Sequence, residues 1–295
     1  MFAREIAGSR EMRLTGIAIW MRLSICLLAA AVHCSGTMAA DAGGGPASAA
    51  ESGAAAAGYN GEDSPPSAFE IGREAFLAKD YPRAYRWLRD AAEQGYAPAQ
   101  TALGDLYFAG LGVDADDAEA FAWYGRAAEQ GDVVARVSLG VMYAGGRGVA
   151  RDDEAAVKWF RLAAEDEDPA AQRNLGLMYL EGRSVEKSGA EAANWLQMAA
   201  LKGDTLARVD LGLMFLEGRG VAQNNAEAAR YFLGAAEQGN ALAQYHLGVS
   251  FAEGRGVDRD RDLALKWLTS AARQGFAPAK DYLSANGYIA AESRD

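Results

Sequence analysis

The residue types that carry most enzyme chemistry are scarce in this chain of 295 residues. Histidine occurs only at His33 and His246, and cysteine only at Cys26 and Cys34. One histidine beyond the first 40 residues lacks the companions that a metal site or a nucleophile–base pair needs. Carboxylates are plentiful, but no pair of them stands out from a surface or helix-capping pattern. The sequence therefore predicts no catalytic residue, no metal site and no cofactor.

A Gly-x-Gly-Val motif recurs along the chain, as in Gly146-Arg147-Gly148-Val149. Glycine-rich loops can cradle phosphates, but the dinucleotide-binding form requires a strand before the loop, and here each copy lies between two predicted helices. We interpret the motif as a turn. Arginines recur inside these turns at Arg147, Arg183, Arg219 and Arg255. They either form an anion-binding row or cap carbonyls and pair with nearby acids. The net charge of −11 argues against a nucleic-acid partner.

An aromatic residue returns every 36 residues, at Trp87, Trp123, Trp159, Trp195, Tyr231 and Trp267. A Leu-Gly pair returns at the same interval, with its glycine at Gly104, Gly140, Gly176, Gly212 and Gly248. A fixed period between about 20 and 50 residues is typical of stacked supersecondary units. We therefore expect one elongated repeat domain, with these residues in structural roles.

A single repeat, taken over residues 135–167, predicts two helices joined by a glycine turn. Ala135, Leu139 and Met142 follow the spacing of an apolar helical stripe. The glycines that come next end this helix, because glycine adopts left-handed conformations without a side-chain penalty. Asp152 then stands at the N-cap of a second helix that carries Trp159 and several alanines. The sequence thus predicts an all-α fold of helix–turn–helix units.

The pattern resembles the Sel1-like repeat, a relative of the tetratricopeptide repeat. It is carried by the segments Ala135…Leu139-Gly140-Val141-Met142-Tyr143…Gly146-Arg147-Gly148-Val149 and Ala207…Leu211-Gly212-Leu213-Met214-Phe215…Gly218-Arg219-Gly220-Val221. The resemblance covers residues 67 to about 285 and implies a right-handed superhelical α/α solenoid. Two positions depart from the pattern, since Ser184 and Glu167 stand where the other repeats have glycine.

Three segments follow from the composition. Residues 1–40 combine arginines, the apolar run Leu23–Val32 and small residues, which is typical of a secretory signal, and Met21 is a possible true start. A membrane anchor over Leu14–Cys34 is the alternative. Residues 41–66 are rich in Ala, Gly, Ser and Pro, which predicts a flexible linker. Residues 67–290 form the array of about six repeats and a C-terminal capping helix.

A candidate binding groove is suggested by apolar residues away from the core stripe of the first helices. In arrays of the kind that the resemblance implies, the first helices line the concave surface. A groove with an apolar floor suits an extended peptide or an amphipathic helix. Burial of the same side chains against neighbouring repeats is the alternative. The candidate groove residues are Val137, Val141, Leu177, Leu180, Val209, Leu213, Leu216, Tyr245 and Val249.

The resemblance implies a non-enzymatic scaffold or regulator of the bacterial cell envelope, periplasmic or secreted, that binds a protein or peptide partner. Inner-membrane anchoring is the alternative location, and membrane contact is expected only if the N-terminal segment is uncleaved. A secreted effector that binds host proteins is an alternative function. Hydrolysis of β-lactams or peptidoglycan peptides is associated with cysteine-rich relatives, but both cysteines here lie in the predicted signal segment.

Overall fold

The structure, a computed structural model, describes residues 64–288 and contains only helices and turns there. The helices are α1 Pro65–Leu77, α2 Tyr81–Glu93, α3 Ala97–Ala109, α4 Asp117–Glu129, α5 Val133–Gly145, α6 Asp153–Glu165, α7 Pro169–Glu181, α8 Gly189–Leu201, α9 Thr205–Glu217, α10 Asn225–Glu237, α11 Ala241–Glu253, α12 Arg261–Arg273 and α13 Ala277–Ala285. Odd numbers are the first helices of the repeats and even numbers the second helices. The described residues thus hold six helix pairs and one further first helix.

The chain divides into two compact units, one ending at Asp152 and the other beginning at Asp153. In unit 1 each helix from α1 to α4 packs against the next, and in unit 2 each helix from α6 to α12 does the same. This order of packing confirms the prediction of an all-α repeat solenoid. The right-handed sense of the solenoid stays a prediction.

The N-terminal segments predicted from composition lie mostly outside the described residues. The signal segment 1–40 is entirely outside, as is the linker up to residue 63. The first helix begins at Pro65, so the last two residues of the predicted linker are helical. A proline in the first turn fits there because its missing N–H has no intrahelical acceptor in any case. Among the described residues, no helix is both long and apolar enough to span a bilayer.

Side-chain caps begin several of the helices, at Asp, Asn or Ser residues that stand directly before them. Asp116 accepts hydrogen bonds from the backbone N–H groups of Ala118 and Glu119 at the start of α4. Asn224 accepts the equivalent two bonds, from Ala226 and Glu227, at the start of α10. Ser188 and Asp260 each accept one such bond. Four of the first helices are capped as well, by Asp132, Asp168, Asp204 and Asn240. Each cap satisfies a backbone donor that has no partner inside its helix.

In the Leu-Gly pairs at Gly104, Gly176, Gly212 and Gly248, the glycine makes room for a large side chain of the following helix. A Cβ added to Gly104 would lie 2.7 Å from the ring of Tyr124, and one added to Gly212 would lie 2.5 Å from the ring of Phe232. Gly176 and Gly248 stand in the same way against leucines of α8 and α12. The Leu-Gly period is therefore a helix-packing signal, since only glycine allows this close approach.

The residue after each aromatic of the 36-residue register, rather than that aromatic, is the one most deeply buried. Trp87, Trp123 and Tyr231 are buried, whereas Trp159 and Trp267 are half-buried, as is the tryptophan of α8. Three of the six aromatic residues of the register are thus buried in the core. Their successors are at most 2% exposed in all six pairs: Leu88, Tyr124, Phe160, Leu196, Phe232 and Leu268.

The second glycine of each turn lets the turn lie against the backbone of the preceding second helix. A Cβ on Gly148 would overlap with the backbone at Asp117, and one on Gly256 would overlap with the backbone at Asn225. Both glycines also have a positive φ, of 66° and 74°. In the fourth turn Ser184 takes the position of the second glycine, with φ 51°. Glu167, with φ 64°, takes the position of the glycine that follows the second helices. Left-handed backbone at a residue with a side chain costs about 1–2 kcal/mol.

Candidate interaction surface

In unit 1 the predicted groove residues are buried. Val137 is 0% exposed and Val141 8% exposed on α5. The equivalent places on α3 hold Thr101 and Asp105, which are also buried. For these positions the prediction of an open groove is wrong, because the side chains are buried. Unit 1 therefore offers no open apolar groove at these positions.

In unit 2 the predicted groove residues fall into two groups. Leu180 and Val209 are buried, so the prediction that they line an open groove is wrong for these two as well. Five others are half-buried, which leaves part of each side chain accessible to solvent. We name these five the first-helix face of unit 2; they come from the consecutive first helices α7, α9 and α11. The first-helix face consists of Leu177, Leu213, Leu216, Tyr245 and Val249.

Each residue of the first-helix face has one side in the core. Leu177 packs against the buried cluster that contains Leu196 and Leu211. Leu213 and Leu216 pack against the cluster around Phe232, and Tyr245 and Val249 against the cluster at the C-terminal end. Their backbone and rotamers are held by this packing. A partner that covers the exposed parts would therefore bury apolar area without having to order these side chains.

An ion pair joins two first helices beside this face. The guanidinium Nε of Arg173 on α7 donates to Oδ2 of Asp210 on α9 at 2.6 Å, and both side chains are about one-fifth exposed, at 21% and 19%. Burial alone would lower the pKa of Arg173, but Asp210 and Asp204 outweigh it and leave the pKa raised. Breaking one half of the pair would leave a charge partly buried and unpaired, which is strongly unfavourable.

His246 is a packed side chain. Its ring stacks on Phe232 with centroids 4.9 Å apart, and Tyr245 meets it edge-on at 5.2 Å. Burial lowers the pKa of His246 to about 4, so the ring is neutral near pH 7. Within residues 64–288, no cluster of three or more histidine, cysteine, aspartate or glutamate side chains is placed to hold a metal ion. His246 therefore belongs to the packing of unit 2.

The arginines of the turns are paired with acids. Arg147 bonds Asp117 with Nη2 and Oδ1 2.7 Å apart, and Arg183 bonds Asp153 in the equivalent way. In the next two repeats the position equivalent to Asp117 and Asp153 is not acidic, since it holds Gly189 and Asn225. Arg219 and Arg255 instead contact Glu217 and Glu253, the last residues of their own first helices. This pairing favours the interpretation as turn-stabilising residues over that of an anion-binding row.

A buried polar pair in unit 1 was not foreseen from the sequence. The Tyr124 hydroxyl donates to Oδ1 of Asp105 at 2.7 Å, and both side chains lie in the core. Burial raises the pKa of Asp105 to about 7, although the bond from Tyr124 opposes this rise. The one available signal was an aspartate at a place where the later repeats carry Val or Leu. Since both groups are closed off from solvent, the pair bears on stability rather than on catalysis.

A cleft of about 370 Å³ lies in unit 2 between the fourth turn and α6. Ser184 and Val185 form one wall, and Val157, Arg161 and Leu162 form part of the other. Its charged side chains are of both signs, and Arg161 already donates to the Tyr179 hydroxyl at 3.4 Å. The cleft has no converging set of donors or acceptors of the kind that a small-molecule site needs.

Six consecutive segments of the chain match the Sel1 repeat, over residues 67–96, 97–132, 133–168, 169–204, 205–240 and 241–276. The chain belongs to the Sel1 repeat family. These boundaries place one first helix and one second helix in each repeat, as the helix pairs do. Proteins built of Sel1 repeats generally mediate protein–protein interaction as scaffolds. None of the curated proteins compared with this Sel1 repeat chain matches it.

Two solved Sel1 repeat structures are similar at 36% sequence identity and a TM-score of 0.69. One is c5321, described as a protective antigen present in uropathogenic Escherichia coli strains; the match covers 78% of this chain and 50% of that one. The other is a Sel1 repeat protein from Oxalobacter formigenes, with 76% and 66% covered. This chain thus spans about half to two-thirds of their lengths. The immunity protein PA5088 from Pseudomonas aeruginosa, at 24% identity and a TM-score of 0.50, shares the fold; that match covers 72% of this chain and 83% of that one.

Proposed function

We propose that this protein is a non-enzymatic scaffold or regulator of the bacterial cell envelope that binds a protein or peptide partner through the first helices of its repeats. The observation that carries the proposal is the first-helix face of unit 2, where five apolar side chains on three consecutive helices keep part of their surface accessible. The general role of Sel1 repeats in protein–protein interaction supports it. The signal-like composition of residues 1–40 supports export to the periplasm or beyond.

The face suits an extended peptide or an amphipathic helix. Leu177, Leu213 and Val249 occupy the same position in three successive first helices. Neighbouring helices pack about 8–10 Å apart, so these three side chains offer apolar contacts at regular intervals. The polar groups nearby, including Arg173 and Asp210, are already paired with each other. Specificity would then come from the fit of apolar side chains and from hydrogen bonds at the rim.

Replacing both Leu177 and Leu213 by aspartate is expected to abolish capture of the partner from envelope extracts. Two carboxylates on the face would have to be desolvated on binding, at a cost of several kcal/mol. The measurement is affinity capture with the immobilised array and identification of bound proteins by mass spectrometry. Because both leucines are half-buried, circular dichroism spectra must first show that the variant is folded.

The matched control adds the same charge elsewhere. Ala118→Asp with Ala122→Asp places two carboxylates at exposed positions of α4, in unit 1. This control should recover the same proteins as the unchanged chain. If the folded Leu177→Asp/Leu213→Asp variant recovers them too, the first-helix face is not the binding site and the proposal fails.

A further inference from the structure

The second helices of unit 2 carry exposed apolar side chains that the fold does not use. Met198 is 43% exposed and Leu201 85% exposed on α8, Leu233 is 40% exposed on α10, and Leu265 is 38% exposed on α12. They account for four of the five exposed large apolar side chains among the described residues. A single exposed leucine is ordinary, but this group lies on three consecutive second helices.

The three second helices are tied side by side. The Gln197 side chain on α8 donates from Nε2 to the Tyr231 hydroxyl on α10 at 3.1 Å. Between α12 and α10, the Nε2 of Gln274 donates to the carbonyl of Gly239 at 3.0 Å. Gln274 directly follows α12, and Gly239 lies just after α10. The turn at Gly256 also lies against Asn225 at the start of α10. Their exposed side chains therefore belong to one surface, which we name the second-helix face.

The other repeats act as an internal control for Leu201. The equivalent second-helix positions are charged in all five other repeats: Glu93, Glu129, Glu165, Glu237 and Arg273. The fold is therefore compatible with a charged residue at this position. A leucine left 85% exposed adds nothing to the core and leaves apolar surface in water. Leu233 likewise stands at a position where no other repeat has a large apolar residue: the equivalents are Arg89, Gly125, Arg161, Gln197 and Thr269.

Cations are carried by the same second helices or follow them directly, in a chain whose net charge is −11. Lys266 and Arg273 on α12 are exposed and form no ion pair within the described residues, although the Lys266 ammonium lies over the Trp267 ring, 4.7 Å from its centroid. Lys202 follows Leu201 and contacts Glu167 at 2.7 Å, but exposed pairs of this kind contribute only about 0–1 kcal/mol. The exposed acids of the same helices include Glu191, Glu237 and Asp262. The face thus mixes leucines with cations that are available to pair with carboxylates.

We propose that the second-helix face is a second docking surface, for an acidic amphipathic segment of a partner protein. The apolar side of that segment covers Met198, Leu201 and Leu233, and its carboxylates pair with Lys266 and Arg273. The surface is built from helices α8, α10 and α12, so it is distinct from the first-helix face proposed above for the main partner. A scaffold with two such faces can hold two proteins at once.

A protein segment fits this face better than a lipid surface does. Anionic headgroups form a continuous sheet of negative charge, which would bring like charges against Glu191, Glu237 and Asp262. A peptide can instead place a carboxylate opposite each cation and a neutral residue opposite each acid. The mixture of signs around the leucines therefore favours a partner with a fixed pattern of side chains.

The test uses the full chain and a labelled synthetic helix of about 18 residues, with leucines on one face and glutamates on the other. Fluorescence anisotropy measures its affinity, beside that of a matched peptide with lysines in place of the glutamates. We expect the acidic peptide to bind about 10-fold more tightly or better, with an affinity that falls as salt rises. Equal affinity for the two peptides would overturn the proposal.

Variants assign the binding to this face. Leu201→Glu restores the residue type of the equivalent positions and should weaken binding about 10-fold, as should Lys266→Glu combined with Arg273→Glu. Glu237→Gln, a nearby exposed change, should leave the affinity unchanged or slightly higher. The Leu177→Asp/Leu213→Asp variant should bind the acidic peptide as the unchanged chain does, so failure of one proposed face is distinguishable from failure of the other. Co-sedimentation with phosphatidylglycerol vesicles that Leu201→Glu abolishes would overturn the proposal in favour of lipid.

Discussion

Replacing Phe232 by alanine is expected to lower the free energy of unfolding by about 3–5 kcal/mol, the range for a fully buried phenylalanine. Phe232 is 0% exposed, fills the space left by Gly212 and stacks on His246. Truncation leaves a cavity that the helix backbones cannot close, since Gly212 has no side chain to move into it. The effect should therefore lie near the upper end for a core residue of this protein.

The matched comparison is Trp267→Ala, in the neighbouring pair of helices. Trp267 packs against the same buried cluster as Phe232 but is itself half-buried, so less apolar area is lost and water can fill part of the gap. Urea unfolding followed by circular dichroism at 222 nm compares the two variants under one protocol. A larger loss for Trp267→Ala than for Phe232→Ala would contradict the assignment of the core to the residue after the aromatic register.

Asp105 is expected to make unit 1 less stable as pH rises. Its pKa is about 7 in the folded protein and 3.8 in an unfolded chain, so between these values the folded state holds more protons. The free energy of unfolding then falls by about 4 kcal/mol as the pH rises from 4 to 7, and it levels off above pH 7. The cause is burial of the carboxylate, with a smaller contribution from the charge of Asp132.

Asp105→Asn should remove this pH dependence. Asparagine keeps an acceptor for the Tyr124 hydroxyl and cannot ionise, so the variant should gain stability relative to the unchanged chain as pH rises from 4 to 8. The difference between the two unfolding curves at each pH is the quantity to measure, because His246 acts in the opposite direction: its lowered pKa costs stability as pH falls from 6.5 towards 4. Two curves that run parallel over the whole range would disprove the role of Asp105.

Tyr124→Phe separates the hydrogen bond from burial. The hydroxyl of Tyr124 lowers the pKa of Asp105 by bonding to the carboxylate, so its removal should extend the pH-dependent range upward. A shift of that range to lower pH in the variant would mean that the hydroxyl does not stabilise the ionised form.

The repeat architecture could be predicted from the sequence because local chemistry specifies it. Period, turn glycines and N-cap residues each act over a few residues, and Asp116, Asn224 and Asp260 cap their helices as their side chains predict. Even the departures have the expected backbone, since Ser184 and Glu167 adopt positive φ at glycine positions. Such features need no knowledge of how the helices pack.

Exposure at the candidate site could not be predicted in the same way. Val141 and Leu177 occupy the same position of successive repeats, yet the first is buried and the second half-buried. The difference depends on which side chains of other helices cover each position, and periodicity within one helix does not contain that information. For the same reason the deep burial of the residue after each aromatic could not be predicted. That residue packs against a glycine of the preceding first helix, 16 residues earlier for Leu88 and 20 residues earlier for Tyr124, Leu196, Phe232 and Leu268.

The central claim is that a partner lies on the first helices of unit 2, and site-specific photocrosslinking tests it most directly. A benzophenone-bearing residue is introduced at position 213, on the first-helix face, and separately at position 122, an exposed position of α4. Illumination of cells that express each protein should yield a specific crosslinked complex from position 213 and none from position 122. A complex that forms from position 122 while position 213 gives none would contradict the claim.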